Sequence, residues 1–325
     1  MLQNRRPRRN RKSGAIRAMV AENTLTANDF IFPLFLIPGV NEKQSISSMP
    51  GIYRYSLDLL LLEIEECIRL GIKGFCIFPS LEDDQKDKYA TEGYNKNGLY
   101  IKALKEVKLQ FPDIVLMTDI AMDPYSSDGH DGIVEKGEII NDKTLEILGK
   151  MALIQAQAGA DILGPSDMMD GRVGYIRRIL DEAGYTSVSI MSYTVKYASA
   201  FYGPFRDALD SAPKFGDKKT YQMNPANSKE ALIEADLDIE EGADMIMVKP
   251  ALSYLDVIKS LKDNYNVPIT AYNVSGEYAM IKAASEKGWL DEDKVIMESL
   301  LSMKRAGADV ILTYFAKEAA KLLKK

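Results

Sequence analysis

Histidine and cysteine are scarce in this chain, whose 325 residues include one histidine, His130, and two cysteines, Cys67 and Cys76. A single histidine excludes, within one chain, a zinc site of several histidines and acid–base chemistry by paired imidazoles. Cys67 lies in a helix-like apolar run and Cys76 in a strand-like one. We therefore expect two small buried thiols and a reducing compartment.

Long apolar runs and an excess of positive charge are also lacking. No stretch approaches the length needed to cross a bilayer, and no apolar signal-peptide core follows the basic start MLQNRRPRRNRK. We therefore expect a cytoplasmic protein with no membrane partner. The net charge of −6 gives no reason to expect nucleic acid bound to the body of the protein. Its hydrophobic content of 46% and charged content of 27% are typical of a soluble globular protein.

Eight short apolar segments predict strands that are buried on both faces, and segments with helical periodicity lie between them. The predicted strands are Ile31–Ile37, Gly74–Pro79, Ile114–Ile120, Ala160–Gly164, Val188–Tyr193, Met245–Val248, Val267–Tyr272 and Val310–Tyr314. The predicted helices are Leu57–Leu70, Leu99–Leu109, Lys143–Ala158, Tyr175–Ala183, Ser228–Glu241, Ser253–Asn264, Glu277–Glu286 and Val295–Ala306.

The junctions from helix to strand repeat one pattern, in which a glycine is followed by an apolar run. The pattern begins at Gly71, Gly159, Gly242 and Gly307, where we expect left-handed helix caps. Eight units of a strand followed by a helix, joined by right-handed crossovers, predict an α/β fold, a (β/α)₈ TIM barrel. An open doubly wound sheet is the alternative, but no G-x-G-x-x-G motif follows the first strand.

Residues 1–28 are predicted to form an extended N-terminal arm, and residues 29–325 the barrel. Five arginines lie close together near the start of the arm, at positions 5, 6, 8, 9 and 11. In an acidic protein such an arm is best interpreted as a docking arm for another subunit. Contact with nucleic acid and simple disorder are the alternatives.

Two lysines stand at the ends of neighbouring predicted strands. Lys249 follows the sixth strand and precedes Pro250, which cannot donate to a strand ladder. Lys196 comes just past the fifth strand. Sequential barrel strands lie about 4.8 Å apart, so we expect both amines at the C-terminal rim, where like charge and burial lower an amine's pKa. A neutral lysine attacks carbonyl carbons, which predicts Schiff-base chemistry on two carbonyl substrates, or on one with a lysine acid–base partner.

The long loop after the fifth strand, residues 196–227, has the composition of a lid. Its aromatic residues are Phe201, Tyr202 and Phe205, and its cations include Arg206, Lys218 and Lys219. Cations on a mobile loop suit the binding of carboxylates and closure over them. The substrates predicted are small keto acids.

The loop after the third strand is rich in acids, with Asp119, Asp123, Asp128, His130 and Asp131 in close succession. A solvated turn would explain this composition. Its position over the lysine pair favours a hard cation with oxygen ligands, magnesium rather than zinc.

Several sequence motifs resemble the porphobilinogen synthase family, also called 5-aminolevulinate dehydratase, over essentially the whole chain. They are RPRR in the arm, FIFPLF at 30–35, SSMPG at 47–51, FYGPFRDA after Lys196, KTYQMNPAN at 219–227, MVKPA at 247–251, AYNVSGEYAM at 271–280 and ILTYFA at 311–316. The resemblance implies a (β/α)₈ barrel that condenses two 5-aminolevulinate molecules into porphobilinogen with loss of two waters, an early step of tetrapyrrole (heme and chlorophyll) synthesis.

The resemblance also implies roles for individual residues. Lys249 would form the Schiff base with one substrate, Lys196 would bind the other covalently or act as its acid–base partner, and Asp119 would stand beside them. The substrate-binding positions implied are Ser275 and Tyr314 for the first carboxylate and Arg206 and Lys218 for the second.

The implied metal sites differ from those of the zinc-dependent members. Their three cysteines align with Ala121, Asp123 and Asp131, so the resemblance implies no zinc. Asp123 and Asp131 would hold Mg²⁺ or K⁺, or no metal. Glu234 matches a separate activating Mg²⁺ site near a subunit boundary, and the family's assembly is an octamer of four dimers.

Two rival functions are kept open. A class I Schiff-base aldolase is also a barrel with a lysine at this rim, but it needs one essential lysine and usually a phosphate grip. A non-catalytic barrel that binds nucleic acid through its basic arm would leave the lysine pair and the lid unexplained.

Overall fold

In the computed structural model, which describes residues 4–209 and 214–324, the sheet closes on itself. The strands are β1 (Phe30–Leu36), β2 (Lys43–Ser45), β3 (Tyr53–Tyr55), β4 (Gly74–Pro79), β5 (Val115–Ile120), β6 (Val134–Glu135), β7 (Glu138–Ile139), β8 (Ile162–Pro165), β9 (Ser189–Lys196), β10 (Met245–Lys249), β11 (Ile269–Asn273) and β12 (Val310–Thr313). The parallel ring runs β1-β4-β5-β8-β9-β10-β11-β12 and closes because β12 pairs with β1. The predicted (β/α)₈ barrel is confirmed.

Helices alternate with the strands of the ring. The α-helices are α1 (Gly14–Met19), α2 (Leu57–Arg69), α3 (Leu99–Gln110), α4 (Asn141–Gln157), α5 (Arg172–Glu182), α6 (Gly203–Leu209), α7 (Glu230–Glu240), α8 (Leu255–Asn264), α9 (Ser275–Glu286), α10 (Glu292–Ala306) and α11 (Ala316–Leu323). Short 3₁₀ helices lie at Pro7–Arg11, Ala27–Asp29, Asp83–Gln85, Thr91–Tyr94, Ala200–Tyr202 and Leu252–Tyr254.

The eight predicted strands all exist, with ends that shift by up to three residues. The largest shift concerns the fifth, which continues through Lys196. That lysine therefore lies within β9 and not past its end, because its backbone still pairs with β10. The helix α11 after the last strand was not predicted.

Outside the ring, the insertion between β1 and α2 forms a small β-ribbon that was also not predicted. Strands β2 and β3 pair antiparallel, and β3 continues the sheet beside β1, with Arg54 opposite Phe35. Strands of three residues are too short to show a period in the sequence.

Glycine caps end the helices where the repeated pattern predicted them. Gly71, Gly159, Gly242 and Gly307 have φ values of +98°, +99°, +107° and +123°, which side chains rarely adopt. At Gly307 a Cβ would also lie 2.6 Å from the Cβ of Lys262. These caps turn each chain segment directly into the next buried strand.

Both cysteines are free and buried, as expected, so they act as small core residues. Residues 4–28 hold the 3₁₀ turn at Pro7–Arg11 and α1, neither of which contains a buried residue. Across 4–209 and 214–324, no helix is both long and apolar enough to cross a membrane.

Candidate active site

The two predicted lysines face each other at the C-terminal rim of the barrel. Lys249 ends β10 and is the register partner of Lys196 at the end of β9. Each is only 6% exposed. The Nζ of Lys196 donates a hydrogen bond to the carbonyl of Ser166, which follows β8. The register pairing places the two lysines side by side at the rim, as the order of the strands predicted.

Lys249 carries the perturbed amine. Burial and the neighbouring charge of Lys196 lower its pKa to about 7, against the opposing influence of Asp119, Asp123 and Asp131. The lowered pKa favours the free amine near neutral pH, and the free amine is the form that attacks a carbonyl carbon.

Aromatic rings surround the Lys249 ammonium. The distances from its Nζ to the ring centroids are 4.5 Å for Tyr272, 4.9 Å for Tyr193, 5.2 Å for Phe205 and 5.4 Å for Tyr202. Phe205 and Tyr202 were expected here from the lid composition. Tyr193 and Tyr272 were missed, although they lie on β9 and β11, the two strands that pair with β10.

Asp119 lies near the end of β5, as expected. Withdrawal from water raises its pKa to about 6, although Lys249 and Lys196 counteract the rise. A carboxyl group with this pKa can exchange protons with the amines near neutral pH.

The two aspartates expected to bind a metal are bridged by a lysine. The Lys218 Nζ lies 3.1 Å from an oxygen of Asp123 and 2.9 Å from an oxygen of Asp131. Burial opposes the charge on Lys218, but the two carboxylates outweigh it and raise its pKa. Burial likewise opposes ionisation of Asp131, yet Lys196 and Lys218 hold its pKa below the usual range.

This arrangement does not fit a metal ion between the two carboxylates, because the Lys218 ammonium already occupies that place. Throughout the described residues, no group of three or more histidine, cysteine, aspartate or glutamate side chains is arranged to hold a metal.

The lid lies closed over the lysines. The backbone N–H of Phe205 donates to the Oγ of Ser275 at 2.9 Å, and that hydroxyl lies 3.4 Å from the Phe201 carbonyl. Tyr314 is fully buried and lines the same cavity as Ser275 and Phe205. The cavity that Lys249, Phe205, Ser275 and Tyr314 line measures only about 10 Å³, far less than the several hundred cubic ångströms of a usual ligand site. The lid must therefore move before a substrate can enter.

Arg206 is half-buried on the same lid helix, α6, and forms no ion pair within the part of the chain that the structure describes. The segment 210–213 that follows α6 lies outside the described residues.

Arg54 secures the far end of α6, a contact that the sequence did not suggest. Its Nε donates to the Ala208 carbonyl at 2.6 Å and its Nη2 to the Asp207 carbonyl at 2.5 Å. These are last-turn carbonyls with no partner inside the helix. The ribbon strand β3 thus holds the lid in its closed position.

Glu277 was likewise missed as a positioning residue. Its carboxylate accepts hydrogen bonds from the backbone N–H groups of Leu252 and Val274 and from the Asn273 amide. It therefore ties the loop after Lys249 to the end of β11. The signal in the sequence was a glutamate two residues after Ser275, at the third position of helix α9.

Glu234 lies apart from the lysines. It lines a separate cavity of about 920 Å³ together with Asp170, Asn227 and Glu230. Burial raises its pKa to about 7; Arg172 opposes this shift, and Asp238, Asp170 and Glu230 reinforce it.

The fold and the site together define a class: a (β/α)₈ barrel with a buried pair of facing lysines at its C-terminal rim. The profile of the family described as "Delta-aminolevulinic acid dehydratase" matches residues 4–322. The chain belongs to this family.

Similar proteins agree over almost the full length. A chloroplastic delta-aminolevulinic acid dehydratase of Physcomitrium patens is 57% identical over 320 residues, covering 98% of this chain and 74% of the relative. That of Bradyrhizobium diazoefficiens is 53% identical, with 98% and 91% covered. The crystal structure of the Toxoplasma gondii delta-aminolevulinic acid dehydratase (porphobilinogen synthase), in complex with the reaction product porphobilinogen, is 52% identical with a TM-score of 0.97, covering 98% of this chain and 91% of that one.

Proposed function

We propose that this protein is a porphobilinogen synthase, a hydro-lyase that condenses two 5-aminolevulinate molecules into porphobilinogen with release of two waters. The observation that carries the proposal is the buried, register-paired Lys249 and Lys196 in a chain of this family. A low-pKa amine beside a second amine suits two carbonyl substrates.

Lys249 acts as the nucleophile in this proposal. Its nitrogen lone pair forms a bond to the ketone carbon of the first substrate; with uptake of one proton the carbinolamine then loses water and leaves a protonated imine. Lys196, the register partner of Lys249, and Asp119, whose carboxylate acts on the charge of Lys249, are proposed to move the protons of this step. Lys196 also binds the second substrate, covalently or as acid–base partner.

The substrate carboxylates bind under the lid. Ser275 and Tyr314 hold the first one, and Arg206 and Lys218 the second. Support comes from the shared cavity of Ser275, Tyr314 and Lys249. On substrate binding, Lys218 would either leave Asp123 and Asp131 to pair with the substrate carboxylate, or contact all three carboxylates at once.

Magnesium is proposed at Glu234 and not between Asp123 and Asp131. Asp170, Glu230 and Glu234 line one cavity without forming a close three-carboxylate cluster. Mg²⁺ keeps several of its waters and is held by one or two carboxylates, so Glu234 would hold the ion largely through water. There the ion would act as an activator away from the reacting atoms. Zinc is not expected at the lysine site, because the positions that align with the family's three cysteines are Ala121, Asp123 and Asp131.

The biological setting follows from the proposed reaction. We infer an early role in tetrapyrrole synthesis in the cytoplasm. We further infer that residues 1–28 form an arm for subunit contacts in an octamer of four dimers, because the arm residues 4–28 expose their basic side chains. We expect neither nucleic acid nor membrane as partners.

Trapping the imine tests the proposal. The protein is mixed with 5-aminolevulinate, reduced with borohydride and digested, and the added mass is located by mass spectrometry, with and without a chelator. We expect the adduct on Lys249 in both cases. The Lys249→Ala variant should stay folded and lose turnover by several orders of magnitude, while Lys219→Ala, an exposed lid lysine, should retain it.

The same experiment addresses the rivals. No adduct on Lys249 or Lys196, but one with a phosphosugar, would favour the class I aldolase. Retention of the protein on DNA at low ionic strength, with no adduct at all, would favour the nucleic-acid-binding barrel.

A further inference from the structure

Four aromatic rings form a box around the Lys249 amine, named here the aromatic cage. Its members are Tyr193, Tyr202, Phe205 and Tyr272. We propose that the aromatic cage stabilises the positive charge of the iminium that forms on Lys249, which makes Tyr193 and Tyr272 catalytic residues of this site. The inference rests on the proposed function, since it needs an imine on Lys249.

The geometry is that of a cation enclosed by π faces. All four ring centroids lie within 5.4 Å of the Lys249 Nζ, inside the roughly 6 Å range over which an aromatic ring attracts a cation. Tyr193 and Tyr272 come from the barrel strands β9 and β11 and are almost fully buried. Burial raises the pKa of both phenols well above the usual value, so the rings stay neutral.

The reaction creates a need for such a cage. An amine, a ketone and one proton give an iminium and one water, so the nitrogen carries a full positive charge once the water has left. In the closed, substrate-free structure the cavity beside Lys249 measures about 10 Å³, so side chains and not a hydration shell enclose the nitrogen. The remaining charges nearby are the like charge of Lys196 and the carboxylates of Asp119, Asp123 and Asp131. A carboxylate can also take up a proton, whereas a ring attracts the cation and accepts none.

The aromatic cage is completed only by the lid. Tyr202 and Phe205 belong to the lid, whereas Tyr193 and Tyr272 are fixed in the barrel wall. Lid closure therefore brings the last two rings to the nitrogen, and the cation gains its full stabilisation only with substrate enclosed.

The alternative is that the rings act only by excluding water and do not attract the cation. Fluorination separates the two roles, because it withdraws electron density from the ring face while the ring's size and apolar character change little. Phe205 suits this test, since it has no hydroxyl group and its hydrogen bond to Ser275 is made by its backbone N–H.

The experiment replaces Phe205 with mono-, di- and trifluorinated phenylalanine by stop-codon suppression in the full-length protein. The fraction trapped as the Lys249 adduct is measured against 5-aminolevulinate concentration. We expect the imine formation constant to fall stepwise with fluorination, by roughly tenfold for the trifluoro ring. Phe30 is the control, because it is buried at the N-terminal end of β1, away from the C-terminal rim. The same fluorinated series at Phe30 should leave the imine formation constant unchanged.

A second pair of variants tests the barrel wall. Tyr272→Phe keeps the π face and should stay within about threefold of wild type, whereas Tyr272→Leu should lose about tenfold or more. An imine constant that is equal across the Phe205 series, with wild type trapped normally at Lys249, would overturn the role of the aromatic cage and leave the proposed function intact. Wild-type protein that gives no Lys249 adduct would overturn both.

Discussion

At the scale of single residues, the charge on Lys249 is set by neighbours of both signs. Burial and Lys196 lower its pKa to about 7, and Asp119 counteracts them. The sign of each influence follows from charge alone, so substitutions of Lys196 and Asp119 should shift the pKa in opposite directions.

We predict opposite shifts for Lys196→Gln and Asp119→Asn. Loss of the like charge should raise the pKa of Lys249 by roughly one unit, and loss of the carboxylate should lower it by a similar amount. Competitive labelling with trace acetic anhydride, followed by peptide mass spectrometry against a free-lysine standard, gives each pKa without requiring turnover. Shifts of the same sign in both variants would contradict this electrostatic account.

At the scale of secondary-structure elements, the lid packs on the start of α9 with no spare room. A Cβ at Gly276 would lie 2.5 Å from the carbonyl oxygen and 2.7 Å from the Cα of Phe201. Backbone atoms cannot turn aside as a flexible side chain can. The close approach lets Ser275 reach the Phe205 N–H.

We predict that Gly276→Ala prevents full closure of the lid. The KM for 5-aminolevulinate should rise about tenfold or more, and kcat should fall as well, because an ångström of displacement at a reacting site is costly. Gly203→Ala is the matched control, since a Cβ there meets no heavy atom within 4 Å. Steady-state kinetics measure KM and kcat for both variants. Equal values for Gly276→Ala and Gly203→Ala would mean that close packing of the lid on Gly276 is not needed for activity.

The β-ribbon gives the lid a second attachment through Arg54. We predict that Arg54→Ala weakens hydrogen-exchange protection of the amides of α6 and raises KM several-fold, because two charge-assisted bonds of roughly 1.5 kcal/mol or more each are lost. Arg54→Lys should recover only part, since an ammonium cannot reproduce the planar fork of the guanidinium.

Lys43 provides the control for that measurement. It lies on the same ribbon and packs over the rings of Tyr53 and Tyr55 and not on the lid. Lys43→Ala should leave protection of α6 unchanged; a similar loss in both variants would show that the ribbon as a whole, and not Arg54, supports the lid.

At the scale of the whole molecule, one buried ion pair joins three elements. Arg172 on α5 donates to both carboxylate oxygens of Asp238 on α7, at 3.2 and 3.1 Å, and to Ser192 on β9 at 3.1 Å. All three side chains are almost fully buried. The two helices are thus fixed to the barrel wall through one guanidinium.

We predict that Asp238→Ala destabilises the protein by about 3–5 kcal/mol, because the buried guanidinium loses its bidentate partner and keeps only Asp167, 3.9 Å away. The double variant Arg172→Met, Asp238→Leu should lose less, because no buried guanidinium remains and Asp167, the other acidic neighbour of Arg172, has a pKa of about 7 and can take up a proton. Denaturant unfolding monitored by circular dichroism measures both. Asp181→Ala, which removes the more exposed partner of Arg177, should cost less than about 1 kcal/mol, and an equal loss at the two sites would contradict the argument.

Assembly belongs to the same scale. We predict that deletion of residues 1–28 leaves the barrel folded but reduces the oligomer, as measured by light scattering after size exclusion. Pro7–Arg11 and α1 contain no buried residue, and Leu25 and Ala27 pack only partly on the barrel core. Replacing the arm arginines at 5, 6, 8, 9 and 11 by glutamine should have an intermediate effect if charge guides docking. An unchanged mass after deletion would place the subunit contacts on the barrel itself.

The sequence by itself determined the repeating units, the glycine caps and the lysine pair. These features are local: Gly242 and Gly307 cap helices because of their own backbone freedom, and Lys249 ends a strand because Pro250 follows it. Sequential strands of a barrel are neighbours, so the pairing of Lys249 with Lys196 needed only the order of the strands.

Only the tertiary structure decided which side chains surround that pair. Parallel strands are buried on both faces and lack the alternation that would distinguish the inside of the barrel from the outside, so Tyr193 and Tyr272 gave no signal that they point at Lys249. Arg54 meets its lid carbonyls across more than 150 residues of chain, and Lys218 meets Asp123 and Asp131 across about 90. Such contacts arise when the ring closes and the lid folds over it, and no periodicity or spacing along the chain encodes them.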